Sequence, residues 1–239
     1  MVGACIIVPA FEASATIGGV VGDLRRKMDV PFIVVDDGST DATGEVAACS
    51  GALVVRHEQN LGKGAALRTG LREAARRGLR VAVTVDADGQ HPSHSAEVVL
   101  GAPEDPRTLV LGVRDLVRDG APTSNQFGNR VSNVFLSCFA GRRLRDTQCG
   151  LRRYPVRETL ALGSRANGYA FEAEVILRAI AGGLPIAQVP VEVVYPPVGA
   201  GHSHFRRMVD PTRIVLRIAS TVVELGLRRS WLALAARGR

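Results

Sequence analysis

The chain has 239 residues, 46% of them hydrophobic, which is enough apolar material to bury a full-sized core in one domain or at most two. With only 5% aromatic residues, no zinc-finger spacing and no aromatic-rich ribonucleoprotein signature, nucleic acid is set aside, and the net charge of +7 points to nucleotide phosphates or a lipid surface. Four cysteines stand far apart with no C-x-x-C pair, which argues against a zinc cage or a stapled secreted scaffold.

The opening "MVGACIIVPAF" has no basic leading region and its apolar run breaks at Pro9. It reads as a first strand rather than a signal peptide, so the chain is expected in the cytoplasm or peripherally on the inner face of the cell membrane. Strands are then predicted over 3–9, 31–36, 52–57, 80–85 and 108–113, with helices over 14–28, 41–50, 63–77 and 93–101. That alternation implies an α/β fold with a mostly parallel sheet flanked by helices. "FIVVDD" is continuously apolar, as a strand covered on both faces must be. After residue 114 the pattern changes to a helix over 124–140, a turn at "DTQCGLRRYP", a helix over 170–182, a strand pair or one long strand over 185–195, and a C-terminal helix.

Carboxylates collect where strands end. "VVDDGSTD" puts Asp36 and Asp37 at the end of the second strand and Asp41 at the start of the next helix, where capping accounts for it. "VDADGQHP" puts Asp86 and Asp88 at the end of the fourth. Ligands of open α/β sheets bind beyond these strand ends, and carboxylates crowded there repel one another unless a cation or donors compensate. The glycine-rich "NLGKGAALRTG" is neither a P-loop nor a dinucleotide-binding fingerprint. A hard Mg²⁺ or Mn²⁺ held by Asp86 and Asp88 is the physical alternative for holding a diphosphate.

Together "IIVPAFEA", "VVDDGSTD", "NLGKGAALRTG", "VDADGQHP" and "DTQCGLRRYP" resemble the family 2 glycosyltransferases with the GT-A fold, and within them the dolichol- or polyprenyl-phosphate mannose and glucose synthases. The resemblance covers roughly residues 3–195. It implies a GT-A-like single domain over 1–210, while the helical spacing of Arg213, Arg217 and Arg228, with Trp231 placed for headgroup level, reads as an amphipathic helix over 211–239. It also implies that Pro9, Phe11, Glu12, Asp36, Asp37, Lys63, Asp86 and Ala87 surround the nucleotide of a GDP- or UDP-sugar. Asp37 would accept from the base, and Asp86, Asp88 and Gln90 would hold the metal. Structural alternatives stand beside these roles: Phe11 as a core aromatic, Asp36 as a partner of the turn at Gly38. His91 and His94 read as solvent-facing.

The implied reaction is metal-dependent transfer of a sugar with inversion. A lipid-phosphate acceptor is already ionised and needs no base, whereas a hydroxyl acceptor needs a carboxylate to take its proton. Asp146 is the candidate for that, or else the anchor of its own turn. Arg114 and Arg130 are expected on the acceptor side, because arginine donates in pairs to phosphate oxygens. The loop "PPVGAGHSHFRRM", with His202, His204, Arg206 and Arg207, reads as a lid over the diphosphate. Glu174 resembles a family carboxylate and reads equally as an arginine partner. The arginine-rich stretch from 211 is too charged to span a bilayer and is expected to make partial membrane contact. A silent sugar-nucleotide-binding protein and a phosphohydrolase are the rival functions.

Overall fold

Alternate residues of "ACIIVPA" point to opposite sides of a strand, and both sides are used: Cys5 and Ile7 face one helical layer, Ile6 and Val8 the other, and all four are fully buried. The computed structural model describes residues 3–102, 105–121, 123–195 and 216–226. Seven strands among them form one sheet: β1 (Ala4–Ala10), β2 (Phe32–Asp36), β3 (Leu53–Arg56), β4 (Val81–Thr84), β5 (Leu109–Val113), β6 (Arg152–Pro155) and β7 (Ile186–Pro190). The spatial order is β3-β2-β1-β4-β6-β5-β7. β6 runs antiparallel to β4 and β5, and every other pairing is parallel.

Helices α1 (Ile17–Lys27), α2 (Thr43–Cys49) and α4 (Ser93–Gly101) cover one face of the sheet, burying Ile17, Val21, Leu24, Ala47 and Val99 against β1, β2 and β4. Helices α3 (Lys63–Arg76), α6 (Val156–Ala161) and α7 (Ala170–Ala181) cover the other with Leu67, Leu71, Val156, Val175 and Ile176. α5 (Thr123–Ala140) lends Leu136 to this second layer. Each fully buried aliphatic side chain contributes about 1.5–3 kcal/mol, so these two layers supply most of the driving force.

Two departures from the sequence pattern bear on the site. The "DTQCGLRRYP" segment is a turn followed by strand β6, and it leads directly into α6. A strand carrying two arginines in the core was not anticipated from the pattern. Arg152, with no exposed surface, solves the problem by donating to the carbonyls of Cys149, Thr147 and Glu172 at 2.7, 2.8 and 2.9 Å. The 185–195 segment holds one strand of five residues, β7.

The helical stretch 216–226 packs on α7. Ile218 and Thr221 are buried, Arg217 donates to Glu174 at 2.8 Å, and Arg178 reaches Glu224 at 2.7 Å. Leu216 and Val223 face outward. The expected membrane contact of this helix therefore has a core-packed segment to contend with, while Arg213, Arg228 and Trp231 lie outside the described residues. Among the described residues no helix is long and apolar enough to cross a membrane.

Candidate active site

From β1 the chain crosses to β2 and β3 on one side, while β4 pairs with the other side of β1. The carboxyl ends of β1 and β4 therefore flank a crevice where the winding reverses, the usual ligand position of open α/β sheets. Val85 still donates to Ile7 at 3.0 Å, and Asp86 is the first residue to leave the sheet there.

Asp86 meets Lys63, whose Nζ lies 2.7 Å from its Oδ1 and 3.0 Å from Oε1 of Glu172. The ammonium also sits 5.8 Å from the Tyr169 ring centre. Lys63 is the first residue of α3, a poor place for a cation by helix electrostatics, and the two carboxylates compensate it. Burial alone would discharge Lys63, but Asp86 and Glu172 outweigh it and raise its pKa. Burial likewise opposes ionisation of Asp86, and the Lys63 charge overcomes it and holds the carboxyl below its ordinary value. Asp88, at the open rim, moves the other way, to about 6, through burial of its carboxyl and the charge of Asp86.

The loop that delivers Lys63 is built by Asp37 and Gly62. The Leu61 and Gly62 amides donate to the two Asp37 oxygens at 3.0 and 2.7 Å, and His57 Nδ1 lies 2.6 Å from Oδ1. Gly62 sits at φ 94°, and a Cβ there would fall 2.6 Å from the Asn167 carbonyl, so only glycine serves. On the same edge Glu12, at φ 50°, accepts from the Thr40 amide and hydroxyl at 2.8 and 2.9 Å, tying the β1–α1 loop to the β2–α2 loop. Asp41 accepts from the Ser14 and Thr43 amides at 3.1 and 3.0 Å. A cleft of about 260 Å³ lined by Gly38, Ser39, Arg56, His57 and Glu58 opens at the tips of β2 and β3, across β1 from Asp86.

β6 brings the other wall. Because it runs against β4, its leading turn returns to the tip of β4, with Thr84 donating to the Gly150 carbonyl at 2.7 Å. Gly150 presses on Asp86: a Cβ there would lie 2.3 Å from Asp86 Oδ2. Asp146 in the same turn has a fully buried side chain. It accepts from Arg114 Nε at 2.7 Å and Nη2 at 3.1 Å, and from the amides of Arg114, Gln148 and Cys149 at 3.1–3.2 Å. Burial works against its ionisation, but the Arg114 bonds and charge prevail and keep the carboxyl below the ordinary range.

The structure thus brings Lys63, Asp86, Asp88 and Arg114 to one edge, with half-buried Pro9, Phe11, Glu12 and Gln90 and buried Ala87 beside them. Four other carboxylates have partners within the protein. Asp36 is fully buried and accepts from the Ser39 amide at 3.0 Å, which is the turn-holding alternative. Asp37, 3% exposed, accepts from the Leu61 and Gly62 amides and lies against His57. Asp146 has its oxygens engaged by Arg114 and by the amides of Arg114, Gln148 and Cys149, which is the turn-anchoring alternative. Glu174 holds Arg178 and Arg217 at 2.9 and 2.8 Å.

His91 is not solvent-facing: it is half-buried beside Asp86, 4.0 Å from Cys149 Sγ, and burial lowers its pKa. His94 does face solvent, pairing with exposed Glu192 at 3.0 Å. Arg130 is exposed on α5, and His202, His204, Arg206 and Arg207 lie outside the described residues. Glu172 is the site residue that sequence reasoning passed over in favour of Glu174. The two differ by two helical positions, and only the placement of Lys63 distinguishes them.

Whether a divalent cation fits can be judged from the donors. Asp86 and Asp88 are hard oxygen ligands two residues apart, just beyond the end of β4. Among the described residues no cluster of three His, Cys, Asp or Glu side chains completes a protein cage. This suits Mg²⁺ or Mn²⁺, which take one or two carboxylates and fill their shell with substrate phosphates and water.

The fold and this edge are those of a GT-A nucleotide-sugar transferase. Residues 5–154 match the model of glycosyl transferase family 2, and the chain belongs to that family. It is 29% identical over 215 residues to a UDP-N-acetylglucosamine–dolichyl-phosphate N-acetylglucosaminyltransferase of Methanococcus voltae, covering 80% of this chain and 85% of that protein. It is 30% identical over 200 residues to the polyprenol monophosphomannose synthase of Mycolicibacterium smegmatis, covering 78% and 75%. Among solved structures, glucosyl-3-phosphoglycerate synthase of Mycobacterium tuberculosis, in complex with Mn²⁺, UDP-glucose and phosphoglyceric acid, superposes with a TM-score of 0.69 at 25% identity, covering 91% of this chain and 79% of that one. The protein is a hexosyltransferase by family, and the phosphohydrolase reading falls with that membership.

Proposed function

We propose that the protein transfers a sugar from a UDP- or GDP-sugar to a polyprenyl phosphate, with Mg²⁺ or Mn²⁺ held by Asp86 and Asp88. A divalent ion there would neutralise the diphosphate charge that grows as the sugar–phosphate bond breaks. Lys63 contributes the adjacent fixed positive charge, and Glu172 holds it at the tip. Pro9, Phe11 and Glu12 wall the nucleotide side. Arg114, fixed by Asp146, presents a rigid cation on the acceptor side, suited to a phosphate oxygen.

The observation that carries the acceptor assignment is the engagement of Asp146. With its oxygens bound to Arg114 and three backbone amides, the carboxylate proposed as a base is occupied, so an acceptor that arrives ionised fits this site better than a hydroxyl. Two relatives whose names specify dolichyl or polyprenol phosphates support the same class. A phosphate oxygen attacking in line with the departing diphosphate inverts the anomeric centre.

The test is transfer from radiolabelled nucleotide sugars with Mn²⁺ present. Label should enter butanol-extractable, acid-labile lipid when polyprenyl phosphate is supplied, and the parallel UDP and GDP reactions identify the base. Label appearing only on a hydroxyl-bearing or soluble acceptor would overturn the reading.

A further inference from the structure

Of the ten large apolar side chains that stand exposed among the described residues, four lie on α5: Phe127 at 72%, Val131 at 52%, Val134 at 61% and Phe135 at 45%. Their spacing is i, i+4, i+7 and i+8, and exposed Cys138 follows at i+11. At 3.6 residues per turn these five positions share a face about 100° wide. The opposite face is the one that packs: Leu136 and Asn129 are buried, Ser132 meets Thr147 at 2.7 Å, and the Thr147 amide donates to Asn133 at 2.8 Å. α5 thus turns an apolar stripe outward, while its inner side mixes Leu136, Phe139 and Ala140 with Asn129, Ser132 and Asn133.

Charge says what covers the stripe. α5 contains no Asp or Glu, Arg130 is exposed at the edge of the stripe, and Arg142, Arg143 and Arg145 are exposed just beyond its C-terminal end. A second copy docking face to face would bring these cations together. An anionic lipid surface takes both features at once, apolar side chains entering the acyl boundary and arginines meeting headgroups.

We infer that α5 is the face by which the protein docks on an anionic membrane, through Phe127, Val131, Val134 and Phe135 with Arg130 at the rim. In part this rests on the lipid-phosphate reading, because the contact of α5 with Thr147 places the turn that holds Asp146 and Arg114 next to the docked helix. Docking then presents the acceptor side of the crevice to the bilayer. The stretch 216–226 is not needed for this, since its inner side packs on α7.

The experiment uses the full chain with Cys49→Ser, labelled at Cys138 with an environment-sensitive dye. Vesicles of equal parts phosphatidylglycerol and phosphatidylcholine should shift the emission to the blue, while phosphatidylcholine vesicles alone should not. Phe127→Glu with Val134→Glu should weaken co-sedimentation with the anionic vesicles by about tenfold or more. The same variant should transfer sugar to detergent-dispersed polyprenyl phosphate at the parent rate. Equal vesicle binding by the variant and the parent would overturn the proposal. So would a lower melting temperature of the variant without lipid, which means the stripe is covered by the chain itself, or a dimer in the parent that the variant loses. The two readings fail separately: docking through α5 without transfer to any lipid phosphate removes the acceptor assignment alone, and transfer without α5-dependent docking removes this one alone.

Discussion

Arg114 grips both oxygens of Asp146, Nε to Oδ2 at 2.7 Å and Nη2 to Oδ1 at 3.1 Å, inside a turn whose own amides complete the carboxylate's shell. Removing one member of a buried pair leaves the other desolvated and unpaired, which costs about 3–5 kcal/mol. Asp146→Asn keeps one acceptor oxygen, so a loss of about 3 kcal/mol is expected, lowering Tm by roughly 6–12 °C for a chain of this size. Thermal denaturation checks it. A variant as stable as the parent but inactive toward a hydroxyl acceptor would instead make Asp146 a base.

Lys63 joins two elements distant in sequence, the tip of β4 through Asp86 and the first turn of α7 through Glu172. Lys63→Ala leaves two carboxylates facing each other and removes a charged donor from the diphosphate side. Hydrogen bonds to charged groups contribute about 1.5–3 kcal/mol, so UDP or GDP affinity in Mn²⁺ should fall about 10- to 150-fold. Glu172→Gln, which leaves the Asp86 bond in place, should lose less. Calorimetric titration decides, and unchanged affinity in Lys63→Ala would remove Lys63 from the nucleotide site.

Gly150→Ala tests the pressure of the β6 turn on the metal-side carboxylate. The added methyl would sit 2.3 Å from Asp86 Oδ2 and 2.9 Å from its Cγ, so Asp86 must swing away. β6 itself begins two residues later, and the circular dichroism spectrum should not change. Thermal stabilisation by nucleotide diphosphate with Mn²⁺ should be lost. Retention of that stabilisation would show that Asp86 tolerates the displacement and does not hold the ion.

The sheet was legible because each parallel strand is a short apolar run flanked by turn residues, and the edge that binds ligand was legible because Asp86 and Asp88 end one such run. β6 was not, because "LRRYP" carries two arginines. Only the structure shows that Arg152 satisfies its guanidinium on three carbonyls inside the core. For Asp36, Asp37 and Asp146 two readings stand open in the sequence, because it shows that a carboxylate lies at a strand tip or turn, not whether backbone amides already meet its oxygens. His91 departs from its solvent-facing expectation for the converse reason. Its turn looked solvent-exposed until the β6 segment, far along the chain, brought Cys149 against it. The apolar face of α5 escaped notice because helical spacing fixes which residues share a side but not which side turns to the core.

Cysteine chemistry reports whether the β6 turn is as closed as described. Cys49 and Cys138 are exposed, whereas Cys5 and Cys149 are buried, and burial pushes both of their thiols up to about 12 from an ordinary 9.0. The thiolate is the reactive form, so at pH 8 a disulfide-exchange reagent should titrate Cys49 and Cys138 quickly and all four only after denaturation. The sign of the pH effect on stability follows. A thiol whose pKa is raised on folding stabilises fully below the unfolded value, and that contribution disappears as pH rises through the folded one. Urea stability should therefore fall between about pH 9 and about pH 12, and Cys149→Ala should flatten part of the fall. Rapid native reaction at Cys149, located by peptide mapping, would mean that the turn holding Asp146 and Gly150 opens in solution, and that Arg114 and Asp86 are not held in place by it.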